Sequence, residues 1–135
     1  MKLFLFFFFI ASTSFGAPLV LEKGKDFYEL GLHLELFEDP SGKLSINEIE
    51  GKKFYPSQEK VPNFGFSRSA IWARVTILNK QKKRDWFLSY NYVTQDYVTF
   101  LKKVGGEWVS EEMGDSKKFS ERKYKLRPFV FEASK

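Results

Sequence analysis

Several residue types that carry common protein chemistry are scarce in this chain of 135 residues. Cysteine is absent, which excludes disulfide bonds, thiolate nucleophiles and thiol-ligated metal sites. The single histidine, His33, lies among alternating apolar residues without a nearby carboxylate cluster, so we expect it to face solvent. The sequence contains no nucleophile elbow, phosphate-binding glycine loop or metal-ligand motif. It therefore predicts no enzyme, no cofactor and no metal site.

Long apolar runs are also missing, apart from a short one at the N-terminus. Residues 3–10 are all Leu, Phe or Ile, with Lys2 before them and small residues around Gly16 after them. This run is far shorter than the roughly 20 residues that a membrane-spanning helix needs. We therefore interpret residues 1–16 as a signal peptide that is cleaved after Gly16, and residues 17–135 as one exported domain.

Basic residues outnumber acidic residues by 22 to 17, and the excess is concentrated in residues 80–84 and 117–127. The first of these clusters lies between two strand patterns, so we interpret it as a solvated hairpin loop. Because export removes the domain from cytoplasmic nucleic acid, we predict no nucleic-acid partner. Anionic lipid headgroups or acidic polysaccharides fit this charge better.

The chain does contain many short strand patterns separated by turn signals. The clearest runs of alternating or β-rich residues are 32–37, 71–78, 86–92, 97–104, 107–110 and 129–131. The pair Gly105-Gly106 predicts a two-residue hairpin, and Ser45 followed by Glu48 predicts one helical turn with a capping box. This series of strands with one short helical turn indicates an all-β fold, an antiparallel sandwich.

The longest strand pattern, residues 71–78, follows a turn centred on Gly65, for which we expect a positive φ. One face of this strand is apolar and is interpreted as core. The other face carries Trp72 and Arg74. It is either a second half-buried layer or the floor of a polar groove.

Aromatic, arginine and serine side chains are the candidates for ligand binding, because rings stack on sugars while Arg and Ser bind hydroxyl or carboxylate groups. The candidates are Trp72, Arg74, Trp86, Tyr90, Ser67 and Arg68. The alternative interpretation is structural: the strand residues fill the core or an interface, and the two turn residues serve in ordinary turn capping. The sequence does not show whether Trp86 and Tyr90 lie on the same side of the sheet as Trp72.

An ordered set of residues resembles a known family. The set comprises Leu36, Glu38, Asp39, Leu44, Phe54, Pro56, Asn63, Phe64, Gly65, Ser69, Trp72, Arg74, Asn79, Trp86, Leu88, Gly114, Asp115, Arg127 and Phe129. Over residues 26–132 this set resembles the type-2 extracellular sensing domain of bacterial seven-transmembrane receptors with diverse intracellular signalling modules (7TMR-DISM). We expect structural roles for Asn63, Gly65, Ser69, Asn79, Gly114 and Arg127.

The resemblance implies a fold, a location and partners. It implies a β-sandwich of jelly-roll type, similar to carbohydrate-binding modules, located in the periplasm or outside the cell. The implied partners are a small-molecule or carbohydrate ligand, a seven-helix membrane region and a cytoplasmic signalling domain. In this family further strands follow such a segment, so we expect the domain to be incomplete at its C-terminal end. The competing hypothesis is a freestanding secreted carbohydrate-binding or adhesion protein.

Overall fold

The computed structural model describes residues 1–8, 18–82 and 85–133. The strands are β1 (Lys2–Phe8), β2 (Leu19–Leu21), β3 (Glu35–Asp39), β4 (Tyr55–Pro56), β5 (Ala70–Asn79), β6 (Phe87–Tyr90), β7 (Tyr97–Val104), β8 (Glu107–Met113) and β9 (Phe129–Glu132). A short helix, α1 (Ile46–Glu50), joins β3 to β4, and single 3₁₀ turns lie at Gly31–His33 and Phe119–Glu121.

The strands form a large sheet, here called the main sheet, and a two-stranded small sheet. The order in the main sheet is β4-β3-β5-β1-β7-β8, with β2 paired to the end of β5, and the small sheet is β6-β9. The prediction of an all-β sandwich is confirmed. The main sheet is mixed, however, and not purely antiparallel, because β1 and β2 run parallel to their neighbours. The jelly-roll arrangement stays a prediction.

The small sheet packs on one face of the main sheet and encloses the first core. Alternation along β5 directs every second residue to this side, and β9 supplies two fully buried phenylalanines. The rings of Phe100 and Phe131 stack with their centroids 5.2 Å apart. The buried members of the first core are Leu3, Leu5, Leu19, Leu21, Ile71, Ala73, Val75, Val98, Phe100, Met113, Phe129 and Phe131.

The opposite face of the main sheet carries a second, smaller core. Its buried members are Ile49, Phe54, Ala70, Trp72 and Leu101. Helix α1 covers this face through Ile49, which is completely buried. The second face of β5 is therefore the half-buried layer that the sequence left open, and Trp72 belongs to its packing.

Local sequence signals gave several elements correctly. Helix α1 has the predicted capping box. The Ser45 backbone N–H donates to the Glu48 carboxylate at 2.8 Å, and the Ser45 hydroxyl donates to the same carboxylate at 2.7 Å. Gly105 and Gly106 join β7 to β8 with φ values of 58° and 89°, which are both in the region that a type I′ turn requires. Gly65 has the expected positive φ, at 59°.

The predicted strand over residues 32–37 begins later than expected. Residues Gly31–His33 form a 3₁₀ turn instead, and the strand starts at Glu35. At this turn a Cβ on Gly31 would lie 1.8 Å from the Lys60 carbonyl oxygen, so the segment packs tightly against a later loop. His33 is exposed, as expected, but it lies on the turn.

The hairpin predicted at residues 80–84 is wrong. Strand β5 belongs to the main sheet, whereas β6 pairs with β9 in the small sheet, so the connection crosses between the two sheets. Alternation within each strand was visible in the sequence, but the pairing partner was not. Residues 83 and 84 of this connection lie outside the described residues.

Strand β1 falls within the segment that we interpret as a signal peptide. In the uncleaved chain it lies between β5 and β7, where Lys2 is opposite Ala70 on one side and Tyr97 on the other. The expected cleavage site at Gly16 lies outside the described residues. Removal of residues 1–16 stays a prediction.

Candidate functional site

Trp72, the first candidate platform for a ligand, lies inside the second core. Its exposed fraction is 1%. The ring of Phe4 in β1 stacks on it with the centroids 4.0 Å apart and the planes 7° apart. In the uncleaved chain no ligand reaches the Trp72 ring without displacing this contact.

Arg74 is held by a carboxylate of the neighbouring strand. Its Nε donates to Glu35 Oε2 at 2.8 Å and its Nη2 donates to Glu35 Oε1 at 3.3 Å, because the register of β3 and β5 places the two residues opposite each other. The guanidinium carbon also lies 4.2 Å from the centre of the Phe54 ring. Arg74 therefore neutralises a carboxylate whose side chain is only 3% exposed.

Trp86 and Tyr90 lie on the other side of the main sheet. Both pack against the first core, where Trp86 contacts Tyr28 edge-on at 5.7 Å and Tyr90 stacks over Phe129 at 6.4 Å. Burial raises the pKa of Tyr90 to about 12. The structure thus separates Trp72 and Arg74 from this pair of aromatic residues, and it does not form the combined binding face that the sequence allowed.

Ser67 caps the turn before β5. Its hydroxyl accepts the Ser69 backbone N–H at 3.1 Å and donates to Glu38 Oε1 at 3.5 Å. Arg68 next to it is exposed. The observed contacts of Ser67 therefore fit the structural interpretation, in which this residue serves in turn capping.

The residues expected to have structural roles lie in turns, at strand ends and in one loop. Asn63 Oδ1 accepts the Gly65 N–H at 2.9 Å, and Asn79 Oδ1 accepts the Gln81 N–H at the same distance. Ser69 is buried before β5, a Cβ on Gly114 would lie 1.8 Å from the Asp96 carbonyl oxygen, and the Arg127 carbonyl accepts from Arg122 Nη1 at 3.0 Å.

A groove at the edge of the main sheet has the composition of a binding site. This edge groove has a volume of about 190 Å³ and lies where β3 and β4 meet the loop of residues 57–64. Its lining includes Tyr55, Pro56, Ser57, Gln58, Asn63 and Phe64. The Tyr55 side chain is 59% exposed, in contrast to the buried ring of Trp72.

Backbone and side-chain hydrogen bonds hold the wall of the edge groove in place. The Ser57 N–H donates to the Leu34 carbonyl at 2.8 Å, and the Ser57 hydroxyl donates to the Glu59 carbonyl at 3.0 Å. Gln58 Nε2 donates to the Pro56 carbonyl at 3.3 Å. None of the residues predicted to bind a ligand lines this groove. Its signal was aromatic residues within a polar loop that contains two prolines.

A second groove, of about 180 Å³, lies beside the C-terminal half of β8 and is lined largely by charged side chains. Lys117, Lys118, Arg122 and Lys123 are balanced there by Glu111, Glu112 and Glu121. Burial raises the pKa of Glu111, although Lys123 nearby acts in the opposite direction. Charges of mixed sign and the absence of an aromatic residue from its lining make this groove a weaker candidate for sugar binding.

The comparison with protein families identifies the kind of domain. The model of the family 7TMR-DISM extracellular 2 matches residues 31–134. The chain belongs to this family. No curated protein matches the chain at a significant level. The family consists of extracellular sensor domains of membrane receptors, so this chain is a sensor domain with an exported location.

Two further observations complete the description of this 7TMR-DISM extracellular domain. In the part of the chain that the structure describes, no helix has the length and apolar character needed to cross a bilayer. Over the same residues, His, Asp and Glu side chains form no cluster of three or more that would hold a metal ion. The match begins at residue 31 and therefore includes β3 to β9 and the residues that line the edge groove.

Proposed function

We propose that this domain is the ligand-sensing input of a bacterial membrane signalling receptor, and that it binds a carbohydrate or another small molecule in the edge groove. The observation that carries the proposal is the exposed Tyr55 ring beside fixed polar groups in a concave surface. Such a combination of an aromatic plane with a few oriented hydrogen-bonding groups is typical of small-ligand sites.

The groove supplies the chemistry that the sequence suggested, but from different residues. Tyr55 offers an aromatic face for the apolar side of a sugar ring, and Gln58 and Asn63 offer amide groups for its hydroxyls. Trp72 and Arg74 take a supporting role, because one is buried and the other is paired with Glu35. Both lie on β5, and β3 lies between β5 and the strand that carries Tyr55.

The groove lies at an edge where a ligand can act on the backbone. Strand β4 consists of only Tyr55 and Pro56, and it pairs with β3. Its few hydrogen bonds make it easy to displace, so a ligand bound to Tyr55 would stabilise this edge. The receptor partners implied by the family, a membrane region and a cytoplasmic signalling module, would receive that change.

The test is a thermal-shift screen of the chain against periplasmic glycans, monosaccharides and organic acids. We expect at least one sugar to raise the melting temperature. Tyr55→Ala should weaken its affinity by about fivefold, since an aromatic contact contributes about 1 kcal/mol beyond its buried area. Tyr92→Ala is the matched control, because Tyr92 is 61% exposed and is not among the residues that line the edge groove.

Two outcomes would contradict the proposal in different ways. If a ligand shifts Tyr55→Ala as strongly as the unchanged chain, the site lies elsewhere on the domain. If no compound in the screen shifts the unchanged chain, the proposed ligand class is wrong.

A further inference from the structure

Strand β1 lies in the interior of the main sheet, between β5 and β7. Residues 2–8 pair with residues 70–76 of β5, and residues 2–7 pair with residues 97–102 of β7, all in parallel register. Leu3 and Leu5 are 6% and 8% exposed within the first core, while Phe4 stacks on Trp72 on the opposite side. A strand with apolar residues on both faces is the kind that a sheet buries completely.

Removal of β1 would leave two strand edges facing each other. Strands β5 and β7 run in the same direction, and two strand spacings of about 4.8 Å separate them. Their unpaired N–H and C=O groups, with the exposed parts of both cores, would define a space one strand wide. We call this space, between residues 70–76 and 97–102, the strand slot.

We propose that the strand slot is an acceptor site for an extended apolar segment of a second polypeptide, and that β1 occupies it until the signal peptide is removed. The proposal rests on the exported location included in the proposed function, and it does not depend on the ligand groove. Exposed strand edges pair readily with an added strand, which gains backbone hydrogen bonds from the edge and specificity from its side chains.

The residues of β1 indicate what kind of segment the strand slot would bind. The segment must be about six residues long and free of proline, because each carbonyl on the two sides needs an N–H donor and proline has none. Aliphatic side chains must face the first core at the positions of Leu3 and Leu5. An aromatic ring fits the position of Phe4 against Trp72. A charged side chain at any of these positions would be buried without a partner in one of the two cores, so a segment that carries one should not bind.

Strand β2 supports the same pairing mode in the part of the chain that remains after cleavage. It pairs in parallel with Ile77, Leu78 and Asn79 of β5, directly after the residues that β1 covers. Strand β5 therefore pairs in parallel with two strands, and β2 is the one that stays in the chain after cleavage.

The experiment uses the whole chain with a specific protease sequence in place of residues 12–15. After folding and cutting, we expect the fragment that contains β1 to stay bound during size-exclusion chromatography. The cut chain is then unfolded and refolded with a tenfold excess of a fluorescent peptide of residues 1–8, carrying added lysines for solubility. We expect about one labelled peptide per refolded chain.

Variants of the peptide and of the chain test the specificity of this binding. A peptide with Leu3→Asp and Leu5→Asp should not be incorporated. A peptide with Leu3→Cys should form a disulfide with the chain variant Ile71→Cys, which is opposite residue 3, and not with Ala73→Cys, which is two residues further along. The natural chain contains no cysteine, so these are the only thiols present.

Four results would overturn the proposal. The fragment could leave on cutting while the remaining chain keeps its melting temperature, which would mean that the slot closes by itself. The labelled peptide could fail to bind, or the aspartate peptide could bind equally well. Finally, mass spectrometry of the exported protein could show Met1 still in place. That result would leave the Tyr55 test unaffected, so the two proposals fail separately.

Discussion

The two faces of the main sheet are covered by different kinds of structure. On one face the small sheet contributes Phe129 and Phe131, which are completely buried in the larger first core. On the other face a five-residue helix and Phe54 cover a smaller core. The ion pair between Glu35 and Arg74 lies beside this second core, with Arg74 over the Phe54 ring.

The difference shows how a packing layer can have the sequence pattern of a binding face. A face covered by a whole sheet can be uniformly apolar, whereas a face covered by a short helix ends close to solvent and accommodates polar residues there. Trp72 and Arg74 share this face of β5 but differ in burial, because one lies under the cover and the other lies at its border. The edge groove uses an exposed aromatic residue, Tyr55, and two of its lining residues, Leu36 and Phe64, also pack against the first core.

The largest expected effect is on the face covered by the small sheet. Phe131→Ala removes a completely buried ring and should lower the free energy of unfolding by about 4 kcal/mol, through lost burial and the cavity left behind. Denaturation with urea, followed by fluorescence, measures this change. Phe27→Ala is the matched control, since Phe27 is 73% exposed. Equal losses for the two variants would mean that the small sheet does not cover a core.

The second face gives the next largest effect, through its ion pair. Arg74→Ala leaves the buried carboxylate of Glu35 without its guanidinium and should cost about 3 kcal/mol, toward the low end for buried pairs because the Arg74 side chain is 23% exposed. Arg68→Ala, at an exposed arginine, should cost little. Adding Glu35→Gln to Arg74→Ala should restore part of the loss, because the uncompensated charge is then absent.

The same variant decides whether Arg74 binds ligand. If Arg74→Ala keeps its melting temperature but loses the ligand-induced shift, the sheet face is the binding site, and our assignment of the edge groove is wrong. We expect the opposite combination, a lower melting temperature with the ligand-induced shift retained.

Local signals in the sequence predicted elements whose geometry depends on neighbouring residues. The bounds of β7 and its hairpin at Gly105 and Gly106 follow from alternation and turn chemistry, and α1 follows from Ser45 and Glu48. The all-β class follows from the number of such signals. None of them requires knowledge of which strands become neighbours.

Features that depend on distant pairing could not be read in this way. The burial of Trp72 depends on Phe4 and on α1, and the separation of Trp86 from Trp72 depends on β6 joining the small sheet. The edge groove depends on β4 pairing with β3, because this contact brings residues 55–64 against Leu36. Alternation gives the face of a strand, but it does not identify the element that covers that face.

The smallest of the three effects concerns the turn that leads from β3 to the cover of the second face. The carboxylate of Asp39 accepts the Ser41 N–H at 2.9 Å, the Ser41 hydroxyl at 2.6 Å and the Leu44 N–H at 3.0 Å. Leu44 packs against the second core, so this carboxylate fixes the loop that brings α1 into place. Burial alone would raise the pKa of Asp39, but the hydrogen bonds from Ser41 and Leu44 outweigh it and hold the pKa below its ordinary value of 3.8.

Asp39→Asn replaces one acceptor oxygen by an NH₂ group and should cost about 2 kcal/mol at pH 7. Because the pKa of Asp39 is lower in the folded state than in the unfolded state, its stabilising contribution is complete above pH 3.8 and is lost as the pH falls through the folded-state value. The difference in unfolding free energy between Asp39→Asn and the unchanged chain should therefore shrink below pH 3.8. Urea denaturation at a series of pH values measures it, and a difference that stays constant down to pH 2 would show that the carboxylate charge does not hold this turn.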